Sequence, residues 1–421
     1  MPDRSVEGAM SFPIDAVRRR FPALAATDNG RPRIYFDAPG GTQVCADAIE
    51  AMRRHLAGGT ANAGGRFATS CAVDALSRTA HEAVAELIGG DPDEIAFGPN
   101  MTSLTFAVSR ALARDWEAGD ELMVTRLDHD ANVAPWLAVA EDRGMIVRWI
   151  DFDPATGRLQ LETLPALLSK RTRLVAIGGA SNALGTVADL DTVVSTTRAL
   201  TSALIYVDAV QLAPHVALDV KMFGCDLLAF SPYKLFGPHA GVLWCRREVA
   251  EQLRAYKVRP ATNKGMLRFE TGTPSFEAQA GVIGMVDYLD WLGGLVSHDL
   301  PTRRKRLIAA FAACEAYEAE LGKQLLEGLT RFNSVRLYGP ADMTKRVPTF
   351  AFTVEGYSPA AIVQHLADYD IFAWAGHFYA VETIARLGLK AEGGLVRVGL
   401  CHYNTACEVD RLLAAMAELI A

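Results

Sequence analysis

The sequence of 421 residues lacks most features that mark membrane, secreted and metal-binding proteins. It contains no run of about 18 uncharged apolar residues, and its first residues include no apolar core of signal-peptide length. Its seven cysteines form no CxxC pair and no cluster with histidines at zinc spacing. We therefore expect a cytoplasmic protein without a membrane span, a disulfide framework or a metal site.

Positive charge is also scarce. The 42 Lys and Arg residues are outnumbered by 49 Asp and Glu residues, which gives a formal net charge of −7. A nucleic acid is therefore not the expected partner, because its phosphates would be repelled. The densest basic run, Arg303, Arg304, Lys305 and Arg306, lies in an alanine-rich helical pattern and predicts a solvated helix face. The chain also has neither a P-loop nor a GxGxxG motif.

Short apolar runs alternate with helical patterns from about residue 80 to residue 245, which is typical of an α/β fold with a mostly parallel sheet. Helical spacing of apolar residues predicts helices near 104–112 and at 190–200. Several of the runs are continuous Val, Ile and Leu segments, as expected for strands buried on both faces. The seven candidate strands are 94–97, 121–125, 145–151, 174–178, 204–208, 226–230 and 241–245.

The pattern changes after residue 300. A long helix is predicted over 303–330, followed by strands at 348–354 and 394–400 and a closing helix over 407–420. We therefore predict a large domain over 41–300 and a smaller α+β domain over 301–421, with an N-terminal segment, 1–40, that packs against the small domain.

Polar residues follow four of the predicted strands, where ligands of parallel sheets gather. These residues are His129 and its neighbours, Ser181 with Asn182, Asp208 with Gln211, and Ser231 with Lys234. Taken singly, each has an ordinary explanation: Lys234 as a solvated turn residue, Asp208 as a helix N-cap and His129 as a loop histidine. Together they place an amine, a carboxylate, an amide and an imidazole at neighbouring strand ends.

Lys234 and Asp208 together suggest pyridoxal phosphate. A lysine amine forms a Schiff base with an aldehyde, whereas an arginine stays protonated and cannot. A carboxylate beside the pyridine nitrogen keeps the ring protonated and able to accept electrons. His129 is suited to stack on the flat face of that ring. Met101, Thr102 and Ser103 lie between a strand and a helix, either as an ordinary N-cap or as a phosphate seat of backbone N–H groups and hydroxyls.

Seven segments in order give the chain its resemblance to a known family, the cysteine desulfurase-like branch of the class V aminotransferases, and the match covers nearly the whole sequence. The segments are IYFDAPGGTQ (34–43), LDHDANVAPW (127–136), ASNALGT (180–186), YVDAVQ (206–211), FSPYKLFGPHAGVLW (230–244), ETGTPSFEA (270–278) and RVGLCHYNTACEVDRL (397–412). The resemblance implies the fold of fold type I pyridoxal phosphate enzymes.

The resemblance also implies a role for each residue. Lys234 would be the Schiff-base lysine and catalytic base, with Asp208 on the pyridine nitrogen and His129 stacked on the ring. The remaining implied roles are Gln211 on the ring oxygen, Asn182 near that oxygen or the substrate carboxylate, Met101, Thr102 and Ser231 at the phosphate, Thr273 at the phosphate of a neighbouring subunit, and Arg397 on the substrate α-carboxylate. A homodimer with shared sites is therefore expected. If the resemblance did not hold, Arg397 would be an ordinary exposed residue of a strand.

Two departures from the desulfurases change the expected reaction. Tyr379 stands where they have the cysteine that receives sulfur, and Trp374 stands where they have an arginine. A phenol cannot carry a persulfide. The second departure is Tyr233, which precedes the lysine where desulfurases commonly have histidine. Cys401 follows a predicted strand and is expected to be packed rather than to replace the thiol.

The resemblance therefore favours an enzyme that acts on an α-amino acid through a Cα carbanion, as a C–S lyase or an aminotransferase. Trp374, Phe378 and Tyr379 suggest a bulkier and less polar substrate pocket than that of a desulfurase, with Tyr379 and Asn182 beside the substrate. The alternatives are an amino-acid epimerase of the same fold and a non-catalytic pyridoxal phosphate binder.

Overall fold

A computed structural model describes residues 12–28 and 30–420. Residues 1–11, which belong to the predicted N-terminal segment, lie outside the described residues. The helices are α1 (Ile14–Arg18), α2 (Ala46–Ala57), α3 (Ala68–Ile88), α4 (Met101–Leu112), α5 (Ala134–Arg143), α6 (Leu164–Leu167), α7 (Leu190–Leu200), α8 (Val220–Phe223), α9 (Arg247–Ala250), α10 (Phe276–Val296), α11 (Arg303–Leu329), α12 (Pro359–Asp368), α13 (Val381–Arg386) and α14 (Ala406–Ile420).

The strands are β1 (Thr27–Asp28), β2 (Arg31–Pro32), β3 (Ile34–Tyr35), β4 (Ile95–Gly98), β5 (Glu121–Thr125), β6 (Ile146–Ile150), β7 (Phe152–Asp153), β8 (Arg158–Leu159), β9 (Thr172–Gly178), β10 (Leu204–Asp208), β11 (Leu227–Phe230), β12 (Gly241–Cys245), β13 (Val335–Tyr338), β14 (Thr349–Val354), β15 (Ile371–Phe372), β16 (Trp374–Gly376) and β17 (Leu395–Gly399).

The predicted α/β fold with a mostly parallel sheet is confirmed. Seven strands form one sheet in the order β4-β12-β11-β10-β9-β5-β6, in which β12 is antiparallel to both of its neighbours. The continuous apolar strands are buried along their whole length, as in β5 and β11. The edge strand β6 instead alternates between more and less exposed residues over 146–149, the pattern of a strand with one face towards solvent.

The second sheet follows α11 in the chain. It has four antiparallel strands in the order β13-β14-β17-β16, and its core packs against α11, α12 and α14. The short β3 pairs in parallel with β15. The chain around residue 34 therefore lies beside the second sheet, although it precedes the large sheet in sequence. Cys401 is fully buried, which confirms that it is packed.

The basic run on α11 is not the solvated face that we predicted. Lys305 is exposed, but the three arginines of the run are partly buried and form ion pairs. Their carboxylate partners lie on α3, on α10 and before α8, so the run holds α11 to the rest of the chain. The partners are Glu86, Asp287, Asp219 and Asp290.

No helix within the described ranges 12–28 and 30–420 combines the length and the apolar character that crossing a bilayer requires.

Candidate active site

The predicted strand-end residues, except Ser181, line a single cavity of about 490 Å³ at the carboxyl edge of the large sheet. Because β5, β9, β10 and β11 are parallel neighbours, the loops that follow them meet there. The predicted residues brought together in this cavity are Met101, Thr102, His129, Asn182, Asp208, Gln211, Ser231 and Lys234.

Lys234 ends a short 3₁₀ turn, Pro232–Lys234, directly after β11. It is partly buried, so the explanation as a solvated turn lysine is wrong. Its Nζ donates a hydrogen bond to the carbonyl of Pro39. Burial, the largest cause, and the positive charge of Arg397, the second largest, lower the pKa of Lys234 to about 7. An uncharged amine is therefore available near neutral pH, as condensation with an aldehyde requires.

Asp208 ends β10 and is buried. Its Oδ1 accepts a hydrogen bond from the Val210 amide at 2.9 Å, and no helix begins there, so it is not the helix N-cap that was the alternative. Burial raises the pKa of Asp208 to about 7, and the nearby charge of Asp128 adds to the effect. A buried carboxylate of this kind needs a positive partner in the cavity to stay ionised.

His129 is held in one tautomer when it is neutral. Its Nδ1 accepts a hydrogen bond from the Ala131 amide at 3.0 Å, so the proton is on Nε2. Burial, with the charges of Lys234 and Arg397, lowers the pKa of His129 to about 4. Asp128 supports the same loop by accepting bonds from the Gly178 amide at 3.0 Å and from Asn132 Nδ2 at 2.8 Å.

The start of α4 forms another wall of the cavity. The N-cap is Asn100, whose Oδ1 accepts from the Ser103 amide at 2.8 Å, so assigning the cap to Met101, Thr102 and Ser103 was wrong. Asn, Ser and Thr are all favoured N-cap residues, so the residue types alone do not decide between them. The Met101 amide donates to Ser231 Oγ at 3.0 Å. Thr102 and Ser231 thus line the cavity at a helix N-terminus, where an anion is stabilised.

Gln211 and Thr273 are placed differently from the others. Gln211 lines the cavity, but its Nε2 donates to Thr349 Oγ1 of β14 at 3.1 Å. Thr273 is exposed and lies outside this cavity, in a neighbouring one of about 540 Å³. Buried Gln279 lines the same neighbouring cavity, and neither its Nε2 nor its Oε1 has a hydrogen-bond partner among the described residues.

A larger cavity of about 800 Å³ adjoins the first and shares Lys234, His129 and Asn182 with it. Arg397 of β17 lies in it and is buried, which excludes the exposed strand arginine considered above. Its Nη1 donates to the Asn182 carbonyl at 3.0 Å. Burial lowers the pKa of Arg397 to about 9, and the carboxylate of Asp37 opposes this shift.

The loop after β16 closes over this larger cavity as a tight turn. The Ala380 amide donates to the His377 carbonyl at 2.7 Å, and the two central residues have positive φ, 54° for Phe378 and 57° for Tyr379. Type I′ turns have this φ pattern and normally use Asn or Gly, since a side chain costs about 1–2 kcal/mol per residue in this region. We call residues 377–380 the aromatic turn.

Contacts with the site hold the aromatic turn in this conformation. Asn182 Nδ2 donates to the Phe378 carbonyl at 2.8 Å, and the Asp130 amide donates to the Tyr379 carbonyl at 2.7 Å. The Tyr379 ring stacks on His129, with 5.5 Å between centroids. These contacts offset the backbone strain, so the turn depends on the surrounding site.

Some site residues were not predicted. His239 stacks on Tyr233, with 4.7 Å between ring centroids, and lines the first cavity. It was missed although it stands in the segment 230–244, directly after Gly-Pro. Pro39 contributes a backbone carbonyl, which carries no signal of residue type, and Phe106 lines the larger cavity as one of many apolar residues of α4.

The residues fit pyridoxal phosphate. Within the part of the chain that the structure describes, two buried polar atoms of the site have no hydrogen-bond partner, Asn182 Oδ1 and Arg397 Nε. The cavity also brings together an amine, a buried carboxylate, a neutral imidazole and an anion seat. These are the groups that hold an aldehyde cofactor with a cationic ring and a phosphate.

Comparison with known proteins defines the class. The family model described as Aminotransferase class-V matches residues 34–412. An aminotransferase-like protein of Gibberella zeae is 31% identical over 97% of this chain and 99% of its own, and a cysteine desulfurase of Pectobacterium carotovorum is 29% identical over 97% and 98%. The solved cysteine desulfurase of Thermococcus onnurineus superposes with a TM-score of 0.87 at 26% identity, covering 98% of both chains.

The chain therefore belongs to the class V aminotransferases. Its fold is that of fold type I, as predicted, and it is similar to the cysteine desulfurase-like branch. It is an enzyme whose cofactor is pyridoxal 5'-phosphate.

Proposed function

We propose that this enzyme acts at the Cα of an α-amino acid, as a lyase or an aminotransferase, without passing sulfur through a protein thiol. The main support is that Lys234, Arg397 and Tyr379 line one cavity. No cysteine of the described residues lines either cavity of the site. A persulfide would therefore have no carrier there.

The residues divide the binding of cofactor and substrate between them. Met101, Thr102 and Ser231 would hold the phosphate, Asp208 would pair with the ring nitrogen, and His129 would stack on the ring. Asn182 and Gln211 are within the same cavity, where their amides supply hydrogen bonds. Arg397 takes the α-carboxylate through Nε, which is unpartnered, and the neighbouring Nη2.

Lys234 is the residue that would transfer the proton of the substrate Cα. Bound pyridoxal phosphate supplies an aldehyde that condenses with amines and a ring that stabilises negative charge at the substrate Cα. Lys234 would hold the cofactor aldehyde through its Nζ, and the same Nζ, once free, would take the proton from the substrate Cα. The lowered pKa of about 7 matches this task near neutral pH.

We also infer a homodimer with shared sites, since Thr273 is exposed outside its own cofactor cavity and lies near the unpartnered Gln279 amide. The domain division into 1–40, 41–300 and 301–421 and the cytoplasmic location stay predictions from the sequence.

The test is a screen of amino acids against the purified enzyme with its cofactor. Absorbance of the bound cofactor is followed, and keto acid, ammonia and sulfide are assayed. We expect spectral shifts and product with the wild type and with Lys221→Ala, an exposed lysine away from the site, but no product with Lys234→Ala. Full turnover by Lys234→Ala would refute the proposal.

The same screen separates the alternatives. A cofactor band that no amino acid perturbs would indicate a non-catalytic binder. Exchange of the Cα hydrogen with inversion and no loss of the side chain would indicate an epimerase. Alanine formed from cysteine with a persulfide on this chain would show that sulfur does pass through a thiol.

A further inference from the structure

The larger cavity has an aromatic wall next to the carboxylate-binding arginine. In the β16–β17 pair Trp374 is directly opposite Arg397, so both side chains are on the same face of the sheet. The Phe378 ring covers the Arg397 guanidinium, with 4.2 Å from Cζ to the ring centroid. Tyr379 and Phe106 extend the wall towards solvent, where they are 65% and 36% exposed.

This wall faces the side chain of the substrate. An amino acid held at Arg397 and positioned for Lys234 has two groups fixed, its carboxylate and its Cα. Its side chain then contacts the rest of the cavity wall, which includes Trp374, Phe378 and Tyr379. A cavity of about 800 Å³ is larger than a cysteine side chain needs, and falls in the range that accommodates ligands of drug-like size.

Few charged groups are available to recognise a polar side chain. His377 lines the cavity, but its Nδ1 is taken by the Tyr379 amide at 3.0 Å. The carboxylate of Asp130 also lines the cavity and would repel an acidic substrate. The aromatic rings offer mainly apolar contact and stacking, with the Tyr379 hydroxyl and the Trp374 indole N–H as their polar groups.

We propose that the aromatic turn makes the enzyme selective for α-amino acids with a large apolar or aromatic side chain. This inference rests on the proposed function, in which Arg397 takes the α-carboxylate. The strained turn aims both rings at the site, and Phe378 excludes water from the face of the guanidinium. Burial of the substrate side chain against these rings then decides which amino acids bind.

The experiment measures apparent dissociation constants from the cofactor absorbance of the intact enzyme. The ligands are L-phenylalanine, L-leucine, L-alanine, L-cysteine, L-aspartate and L-lysine. We expect the first two to bind at least about tenfold more tightly than the other four. In Phe378→Ala and Tyr379→Ala we expect this ratio to fall below about threefold, whereas Phe378→Leu keeps part of it.

Tyr256→Ala is the matched control, because it removes an aromatic ring that is 58% exposed and lines neither cavity. It should leave the ratio unchanged. Equal or tighter binding of cysteine, aspartate or lysine would overturn the inference, as would a preference that survives both alanine variants. If no amino acid perturbs the cofactor at all, the proposed function itself fails; if only small or charged ones do, the selectivity alone fails.

Discussion

The guanidinium of Arg397 lies against the ring of Phe378, with 4.2 Å between Cζ and the ring centroid, although Phe378 occupies a backbone conformation that aromatic residues avoid. Asn182 connects the two, because its carbonyl accepts from Arg397 and its amide donates to Phe378. The residue that we propose takes the substrate carboxylate and the turn that we propose covers the substrate are therefore positioned together.

Arg397→Lys should weaken substrate binding more than it slows turnover. Lysine keeps the positive charge but loses the planar fork that binds a carboxylate through two hydrogen bonds. We expect KM for the best amino acid to rise about tenfold to a hundredfold while kcat changes less. Steady-state kinetics measure both. A fall in kcat at unchanged KM would contradict the role in carboxylate binding.

Asp208→Asn should stabilise the cofactor-free protein at high pH. The pKa of Asp208 is raised in the folded chain, from 3.8 to about 7. The unfolded state therefore loses its proton first, and the wild type loses stability between about pH 4 and pH 7. The asparagine avoids this loss, so we expect the variant to be more stable by about 4 kcal/mol at pH 8 and nearly equal at pH 4.

Urea unfolding of both proteins at the two pH values measures this difference. With pyridoxal phosphate bound the sign should reverse, because the variant lacks the carboxylate that pairs with the ring nitrogen. A variant that is less stable at pH 8 without cofactor would contradict the raised pKa.

The pH dependence of cofactor uptake should report Lys234. Only the uncharged amine condenses with an aldehyde, and the pKa of Lys234 is lowered to about 7. The rate at which the cofactor-free protein takes up pyridoxal phosphate should rise with pH and level off above about pH 8. Stopped-flow absorbance measures it, with a free lysine derivative as control, whose rate should continue to rise past pH 9. If the rate of cofactor uptake by the protein also continued to rise past pH 9, the lowered pKa of Lys234 would be refuted.

Tyr379→Gly should be more stable than Tyr379→Ala. Both substitutions remove the ring, but alanine keeps the cost of a side chain at a φ of 57°. We expect a difference of about 1 kcal/mol in the free energy of unfolding, in favour of glycine. The same pair at exposed Glu82 of α3 should show the opposite order, since glycine destabilises a helix. Equal stabilities at 379 would show that the turn is not strained.

Thr273 should act on the site of the other subunit. Thr273→Ala is expected to raise the dissociation constant for pyridoxal phosphate about tenfold, the effect of one charge-assisted hydrogen bond. Mixing it with inactive Lys234→Ala subunits tests the arrangement. In such a mixed dimer, the site that keeps Lys234 receives an intact Thr273 from its partner, so normal cofactor affinity should return. If affinity stays low, Thr273 acts within its own chain or not on the cofactor.

Much of the large sheet could be predicted because its signal is local. The strands at 121–125, 204–208 and 241–245 are where the apolar runs predict them. The helix α10 was not predicted, because it is buried on most of its surface and has no apolar stripe to recognise. Helices α2 and α3 were also missed. The ion pairs of the α11 arginines depend on which helices pack together, which a charge run does not reveal.

Residue type alone determined the chemistry that this chain can perform. An amine at 234, a carboxylate at 208 and a guanidinium at 397 make up the proposed reactive set, and the tyrosine at 379 is the reason for our proposal that sulfur does not pass through a thiol. Only the tertiary structure decided how Phe378 and Tyr379 are used. Their local preference opposes positive φ, so the conformation exists only because Asn182, Asp130, His129 and Arg397, distant in sequence, hold it in place.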